Sequence, residues 1–397
     1  MADMLAHSPP LPLIINFMDE FRDLSVEDEE AILLALQDRA RVRRIGLMMP
    51  ATNLLKPFAA MDGQFPVLER LFIWPKSEDN MTLMFPTGFQ APHLRNFSLI
   101  YIVLPMRSPL LPIAVGLVSL GLLNMPSLTY FHPSNLVERL SSLPQLESLS
   151  IGFKSAVPTR DVNGQLLHPI VTRTTLPNLR VFFFRGVSAY LDGLLARISA
   201  PLLQSLHIRL YNQLTFTVPH LLQFMGRTEN LRFGSAKLSF YLDNLILTAN
   251  GSTQNRINLL GVEIGCKHVD WQVSAAAQVF NALVPALSVV ERLSLSYEEH
   301  GASSEQQHNE VGRTQWREVL RPFSNVKVLQ VADGLIRNLS RSLQPEVGET
   351  PLELLPQLKE LVYYKGGEPS DAFTSFLHTR QKAGHSVAFI HTDHPSR

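Results

Sequence analysis

Three short clusters in this sequence gather residue types that could do chemistry. His391, Asp393 and His394 set two imidazoles and a carboxylate close together near the C-terminus. Zinc takes three protein ligands in a catalytic site and four in a structural one. A terminal H-x-D-H run with no further ligand beside it therefore reads as a solvated tail. His300 and His308 flank acidic residues, an arrangement that could sense pH or hold a metal. Gly301, Ser303, Ser304 and the paired glutamines around them mark a polar loop instead, Glu298 to Arg313. Arg39, Arg41, Arg43 and Arg44 form the densest basic run, as a phosphate backbone would require. Val42 and Ile45 interleave there as strand residues, and Glu27 to Glu30 lie just upstream, so the run reads as part of a charge-balanced cap. No glycine loop ending in Lys-Ser/Thr, no G-x-S-x-G and no H-E-x-x-H occurs. No catalytic, cofactor-binding or metal-binding residue is assigned, and an enzyme is not expected.

Composition narrows the class further. With 45% hydrophobic and 18% charged residues, the chain has enough apolar surface for a long core. Thirty-five basic residues balance thirty-five acidic ones, so no overall field draws it to nucleic acid or an anionic membrane. Cys266 is the only cysteine, which fits a reducing compartment and excludes an internal disulfide framework. Pro9, Pro10 and Pro12 interrupt the only candidate for a secretory segment, and Leu110 to Met125 is too short and too broken for a membrane span. That stretch is expected to be buried core. The expected location is intracellular, cytoplasmic or nuclear.

The elements that could position a site come from a repeat. Apolar residues recur at offsets 0, 3 and 5, the L-x-x-L-x-L spacing of a leucine-rich repeat. The copies begin at Val42, Leu68, Leu94, Leu146, Leu179, Leu203, Ile257, Val290, Val326 and Leu358, with weaker ones at Phe233 and Leu128. In the Leu128 copy Pro133 occupies the third apolar slot. Their spacing lies mostly at or above the roughly 20 to 29 residues usual for such repeats. Pro-x-Leu introduces several copies, as at Pro66, Pro144, Pro177 and Pro356, and proline there stops a preceding helix. Helical apolar spacing fills the gaps, as in Leu136, Val137 and Leu140, in Tyr190 to Leu195, in Val279 to Val284, and in Trp316, Val319 and Leu320.

The fold expected from this pattern is an α/β, leucine-rich-repeat-like solenoid, curved, with parallel strands on the concave face and helices on the convex one. It forms one array without internal boundaries, because no single unit can cover its own apolar side. An ordinary parallel α/β sheet is the alternative; its strands would show continuous apolar runs in place of the fixed offset. Residues 1–40 form an N-terminal capping segment, 41–364 an array of about twelve repeats, and 365–397 a C-terminal capping helix and tail. Ser25 and Asp28 resemble a capping box for a helix over about 26 to 38. Phe373, Phe376 and Leu377 suggest a last helix stopped by Gly384, followed by a strand from Val387 to Ile390.

Alternate strand residues face opposite sides, so if offsets 3 and 5 point inward, offsets 2, 4 and 6 point outward. The outward set includes Arg70, Phe72, Trp74, Phe183, Arg185, His207, Arg209 and Tyr364. Aromatics and arginines dominate protein-binding hot spots, so these eight residues are the candidate partner-binding face. A one-residue slip in register would return Phe72 and Phe183 to the core.

Three passages give the chain a family resemblance: Glu29 to Leu47, Tyr130 through Phe153, and Phe373 to Phe389. Over nearly its whole length it resembles the fungal F-box proteins with irregular leucine-rich repeats. The resemblance implies a substrate-recognition subunit, whose F-box docks on the adaptor of a cullin-type ubiquitin ligase while the repeats hold a target protein. The stretch before Ser25 is too short for an F-box, so that module is expected to be missing here, and a ligase role requires one supplied upstream or in trans. The competing expectation is a repeat scaffold with no role in ubiquitination.

Overall fold

The computed structural model describes residues 11–19, 21–76, 82–105, 107–126, 132–156, 173–213, 215–228, 230–253, 256–266, 269–297, 313–345, 350, 352–364 and 372–392. Residues 298–312 of the polar loop, with His300 and His308, lie outside them, as do Asp393 and His394. The chain packs as two compact units. The first is Met1–Gly186 with Arg197–Leu202, the second Val187–Ala196 with Leu203–Arg397.

The first unit's main sheet stacks seven described strands: β1 (Leu13–Phe17), β2 (Val42–Met49), β3 (Arg70–Pro75), β4 (Asn96–Ile100), β5 (Ser119–Met125), β6 (Ser148–Phe153) and β7 (Val181–Gly186). Each runs parallel to the next, in chain order. The 0, 3, 5 spacing explains the ladder. The offset-3 and offset-5 residues Ile45, Leu47, Leu71, Ile73, Phe97, Leu99, Leu149 and Ile151 are all buried in register. Each such side chain contributes roughly 1.5 to 3 kcal/mol over its exposed state. Between strands the chain returns along the buried side, as helices α1 (Val26–Gln37), α2 (Ala51–Met61) and α3 (Pro133–Leu140) or as loops. A phenylalanine cluster fills the space beneath β3 and β4, with Phe85 edge-on to Phe58, Phe89 and Phe97 at 5.9, 5.0 and 5.7 Å. At the N-terminus the Ser25 hydroxyl accepts the Asp28 amide and the Asp28 carboxylate accepts the Ser25 amide, a complete capping box. Its hydrogen bonds, led by the Ser25 side chain, hold the Asp28 carboxyl below its ordinary range.

Two positions differ from the spacing-based expectation. The fourth repeat copy begins at Leu117, with Leu120 and Leu122 buried, not at Leu128. Leu128 and Phe131 lie outside the described residues, and Pro133 opens α3. The segment expected only as buried core thus contains β5. In addition, the N-terminal capping segment contributes β1, which buries Ile15 and Phe17 against β2.

The second unit stacks eight described strands: β8 (Ser205–Leu210), β9 (Ser235–Phe240), β10 (Asn244–Thr253), β11 (Arg256–Gly265), β12 (Arg292–Tyr297), β13 (Val328–Val331), β14 (Glu360–Tyr364) and β15 (Ala388–Thr392). Their order is β8, β11, β10, β9, β12, β13, β14, β15, and β10 runs antiparallel to both neighbours. The expected all-parallel ladder is therefore broken here by a local meander. A tight turn, in which the Tyr241 amide donates to the Asn244 carbonyl at 2.9 Å, sends the chain straight back from β9. Asp243 and Asn244 supply the turn chemistry. A Cβ on Gly251 would run into the Arg232 carbonyl, so that close approach needs glycine.

Helices α4 (Ser188–Leu195), α5 (Pro219–Gly226), α6 (Val269–Phe280), α7 (Arg313–Leu320), α8 (Ile336–Leu343) and α9 (Thr374–Lys382) belong to this unit. Buried polar groups tie them down. Asp192 of α4 accepts both the His220 amide and its Nδ1, at 2.7 and 2.6 Å, at the start of α5. Arg317 of α7 donates to the Ser342 and Gln344 carbonyls at the C-terminal end of α8. Arg380 of α9 donates to the Leu354 and Leu355 carbonyls, and burial pushes its pKa down. Gly384, at φ +80°, ends α9 and the chain closes on β15. Together the parallel ladders, the intervening helices and the 0, 3, 5 core make this an α/β, leucine-rich-repeat-like fold.

Candidate functional site

The eight candidate residues fall on four strands in two units. In the first unit Arg70 is exposed and Phe72 and Trp74 are half-buried, on β3, while Phe183 and Arg185 are half-buried on β7. Their inward neighbours Leu71, Ile73, Phe182 and Phe184 are buried. In the second unit His207 is half-buried and Arg209 exposed on β8, and Tyr364 ends β14.

Register places the first unit's residues more finely. One outward row runs Ile14, Arg44, Arg70, Asn96, Ser119, Ser148, Val181; the next runs Asn16, Gly46, Phe72, Ser98, Gly121, Ser150, Phe183. Phe72 and Phe183 share a row but stand four ladder steps apart, about 19 Å at strand spacing. Only small side chains lie between them. The candidate residues do not form one contiguous cluster: the Arg70, Phe72 and Trp74 group and the Phe183 and Arg185 group are separate ends of one face.

Asn124 organises the second of those ends. It takes a left-handed backbone conformation, φ +50°, at the irregularity between Leu122 and Met125, and asparagine tolerates that region better than most residues. Its side-chain oxygen accepts Arg185 Nη1 at 2.9 Å.

At the other end lies a residue that the sequence placed in a cap. Arg44 stands directly beside Arg70 in register, on the outward row. Three of the four arginines in its run are engaged elsewhere. Arg39 donates to the Ala60 carbonyl, Arg41 pairs with Asp38, and Arg43 pairs with Glu69 at 2.8 Å. The Arg44 Nε is sealed from solvent with no hydrogen-bond partner among the described residues. Glu69 is held below its ordinary pKa, chiefly by its hydrogen bond from Arg43, with added pull from Arg95 and Arg44. The signal for Arg44 was legible: it occupies offset 2 of its copy, as Arg70 does of the next.

The second unit's outward face is arranged differently. Arg209 is spent on Glu263, at 2.9 Å, and Glu263 also accepts Asn244 Nδ2 at 3.1 Å. His207 donates to or accepts from Ser205 Oγ at 3.0 Å and lies over Gly261, where a Cβ would come 2.7 Å from Nδ1. Burial pushes the His207 pKa down, so the ring favours its neutral form.

No protein-family model matches the chain and no curated relative matches it. Among solved structures it is similar to the leucine-rich repeat-containing protein LegL7 from Legionella pneumophila. That similarity has a TM-score of 0.28 at 11% identity and covers 93% of this chain and 97% of the other. Among the described residues no group of three His, Cys, Asp or Glu side chains could hold a metal ion, and no helix is long and apolar enough to cross a membrane.

Proposed function

We propose that the chain is a non-catalytic protein-binding module that captures a protein partner on the outward faces of its strands. One observation carries the reading: in the first unit, large aromatics and arginines occupy outward sheet positions half-open to solvent, where a strand needs no such side chains for its own packing. Residues 1–40 and 365–397 act as caps around the 41–364 array in this reading. The resemblance to the repeat region of F-box proteins favours substrate recognition for a cullin-type ubiquitin ligase. The alternative is a scaffold with no role in ubiquitination. An F-box encoded in frame upstream of Met1, or association of the tagged chain with a cullin in its own cells, separates the two.

The double change Phe183→Ala and Arg185→Ala tests the face. Truncating central anchors costs more than about 2 kcal/mol, roughly thirtyfold in affinity. Capture of the natural partner should fall by that factor, while the melting transition drops only by the small amount that loss of the Arg185–Asn124 hydrogen bond explains. If both folding and capture survive, the binding face lies elsewhere and this reading fails.

A further inference from the structure

The first unit's outward face carries arginines without carboxylates. Arg44, Arg70 and Arg185 occupy outward positions on the seven described strands of its main sheet, and no Asp or Glu does. Arg44 and Arg70 are register neighbours on adjacent strands. Like charges in that relation repel and weaken a sheet. The nearest carboxylate, Glu69, is committed to Arg43. Around the pair lie apolar surfaces: Ile14, 60% exposed, beside Arg44 on one side, and Phe72 and Trp74 further along β3 on the other. A ligand that relieves this arrangement must bring negative charge and apolar surface together.

We propose that this face binds an acidic peptide segment of the protein partner, seating carboxylates at Arg44 and Arg70 and an apolar side chain against Phe72 and Trp74. The inference rests on the protein-binding reading above and adds the chemistry of the partner. A carboxylate accepts two parallel N–H bonds from a guanidinium, and Arg70 stands exposed on the outward row beside the half-buried Arg44. A nucleic acid fits the face less well. It needs a long run of basic contacts, whereas Ser98, Gly121 and Ser150 continue the outward rows without charge.

The test is fluorescence anisotropy of the full chain with a labelled peptide of alternating Glu and Leu, against the matching Lys and Leu peptide. The Glu peptide should bind, more weakly as salt is raised, and the Lys peptide should not. The double reversal Arg44→Glu and Arg70→Glu should weaken the Glu peptide at least about tenfold and confer binding of the Lys peptide. That reversal of preference cannot come from unfolding. Equal binding of the two peptides, or no loss in the reversed variant, overturns the proposal. So does tighter binding of a phosphoserine peptide or of single-stranded RNA than of the Glu peptide. If natural-partner capture fails in the Phe183 and Arg185 variant but survives Arg44 and Arg70 reversal, only the acidic-segment inference falls.

Discussion

The two units build their outward faces from the same strand geometry and load them with different charge: arginines alone on the first, cations and carboxylates together on the second. In the first, three arginines stand on outward positions without an acidic residue among them. In the second, Arg209, Lys237 and Arg292 share the described outward positions with Glu263 and Glu360, and Arg209 is already paired. Strand period decides which residues face outward; what those residues are decides whether the face can still bind charge. A buried core satisfied by leucine spacing leaves the outward set unconstrained by folding, and that is where the units diverge.

The largest effect should come from breaking the shared part. Leu149 and Leu329 are both 0% exposed, one in each unit. A buried unpaired carboxylate costs on the order of 4 kcal/mol. Leu149→Asp should strip hydrogen-exchange protection from β4 to β7, and Leu329→Asp from β12 to β14. Native-like protection around either aspartate would mean that the site is not the sealed core described here.

Smaller is the effect expected at Asn124. Alanine there meets the positive φ and loses the hydrogen bond to Arg185, a combined cost of about 1 to 3 kcal/mol. Glycine relieves the backbone and loses only the bond. Chemical denaturation should rank the proteins wild type, Asn124→Gly, Asn124→Ala. If the glycine variant is the less stable, the backbone conformation is not what asparagine serves.

How much of this was legible in the sequence follows from what each feature depends on. The core copies were, because offsets 0, 3 and 5 survive any detail of the connections. β1 was hidden, since Pro12 stands where the repeat's first leucine would and the prolines read as a break. β5 was hidden for the opposite reason: Leu117, Leu120 and Leu122 sit in so apolar a stretch that no offset stands out. The order of β9, β10 and β11 depends on a turn at Asp243 and Asn244 and on which strand then pairs with β8, a tertiary choice. For the candidate face, spacing predicted the outward positions of Phe72, Trp74, Phe183 and Arg209. It could not place them relative to one another, nor could it find Glu263 across the ladder from Arg209.

Glu263 offers a way to sharpen the contrast. Glu263→Gln should release Arg209 and give the second face a free cation. In the Arg44→Glu and Arg70→Glu background it should recover about two- to fivefold in affinity for the Glu and Leu peptide, the size of an exposed ion pair. No recovery would show that charge excess is not what separates the faces.

The smallest effect concerns His207, whose half-buried ring resists protonation in the folded chain. In the unfolded chain the imidazole takes up a proton near its ordinary pKa of about 6.5. As pH falls below that value the unfolded state therefore binds more protons than the folded one, and acid favours unfolding. His207 contributes stability that is complete above about pH 6.5 and is lost as pH drops toward the folded value. The chain has thirteen histidines, so the raw acid sensitivity of wild type says nothing about this one. The informative quantity is the difference from His207→Gln, which keeps a polar side chain over Gly261 without a titrating group. Between pH 7.5 and 5.5 the wild-type melting temperature should fall more than the variant's, by up to about 2 °C for a ring still partly open to water. A variant that loses as much stability as wild type would mean that His207 protonates freely. The second face would then gain positive charge in mild acid.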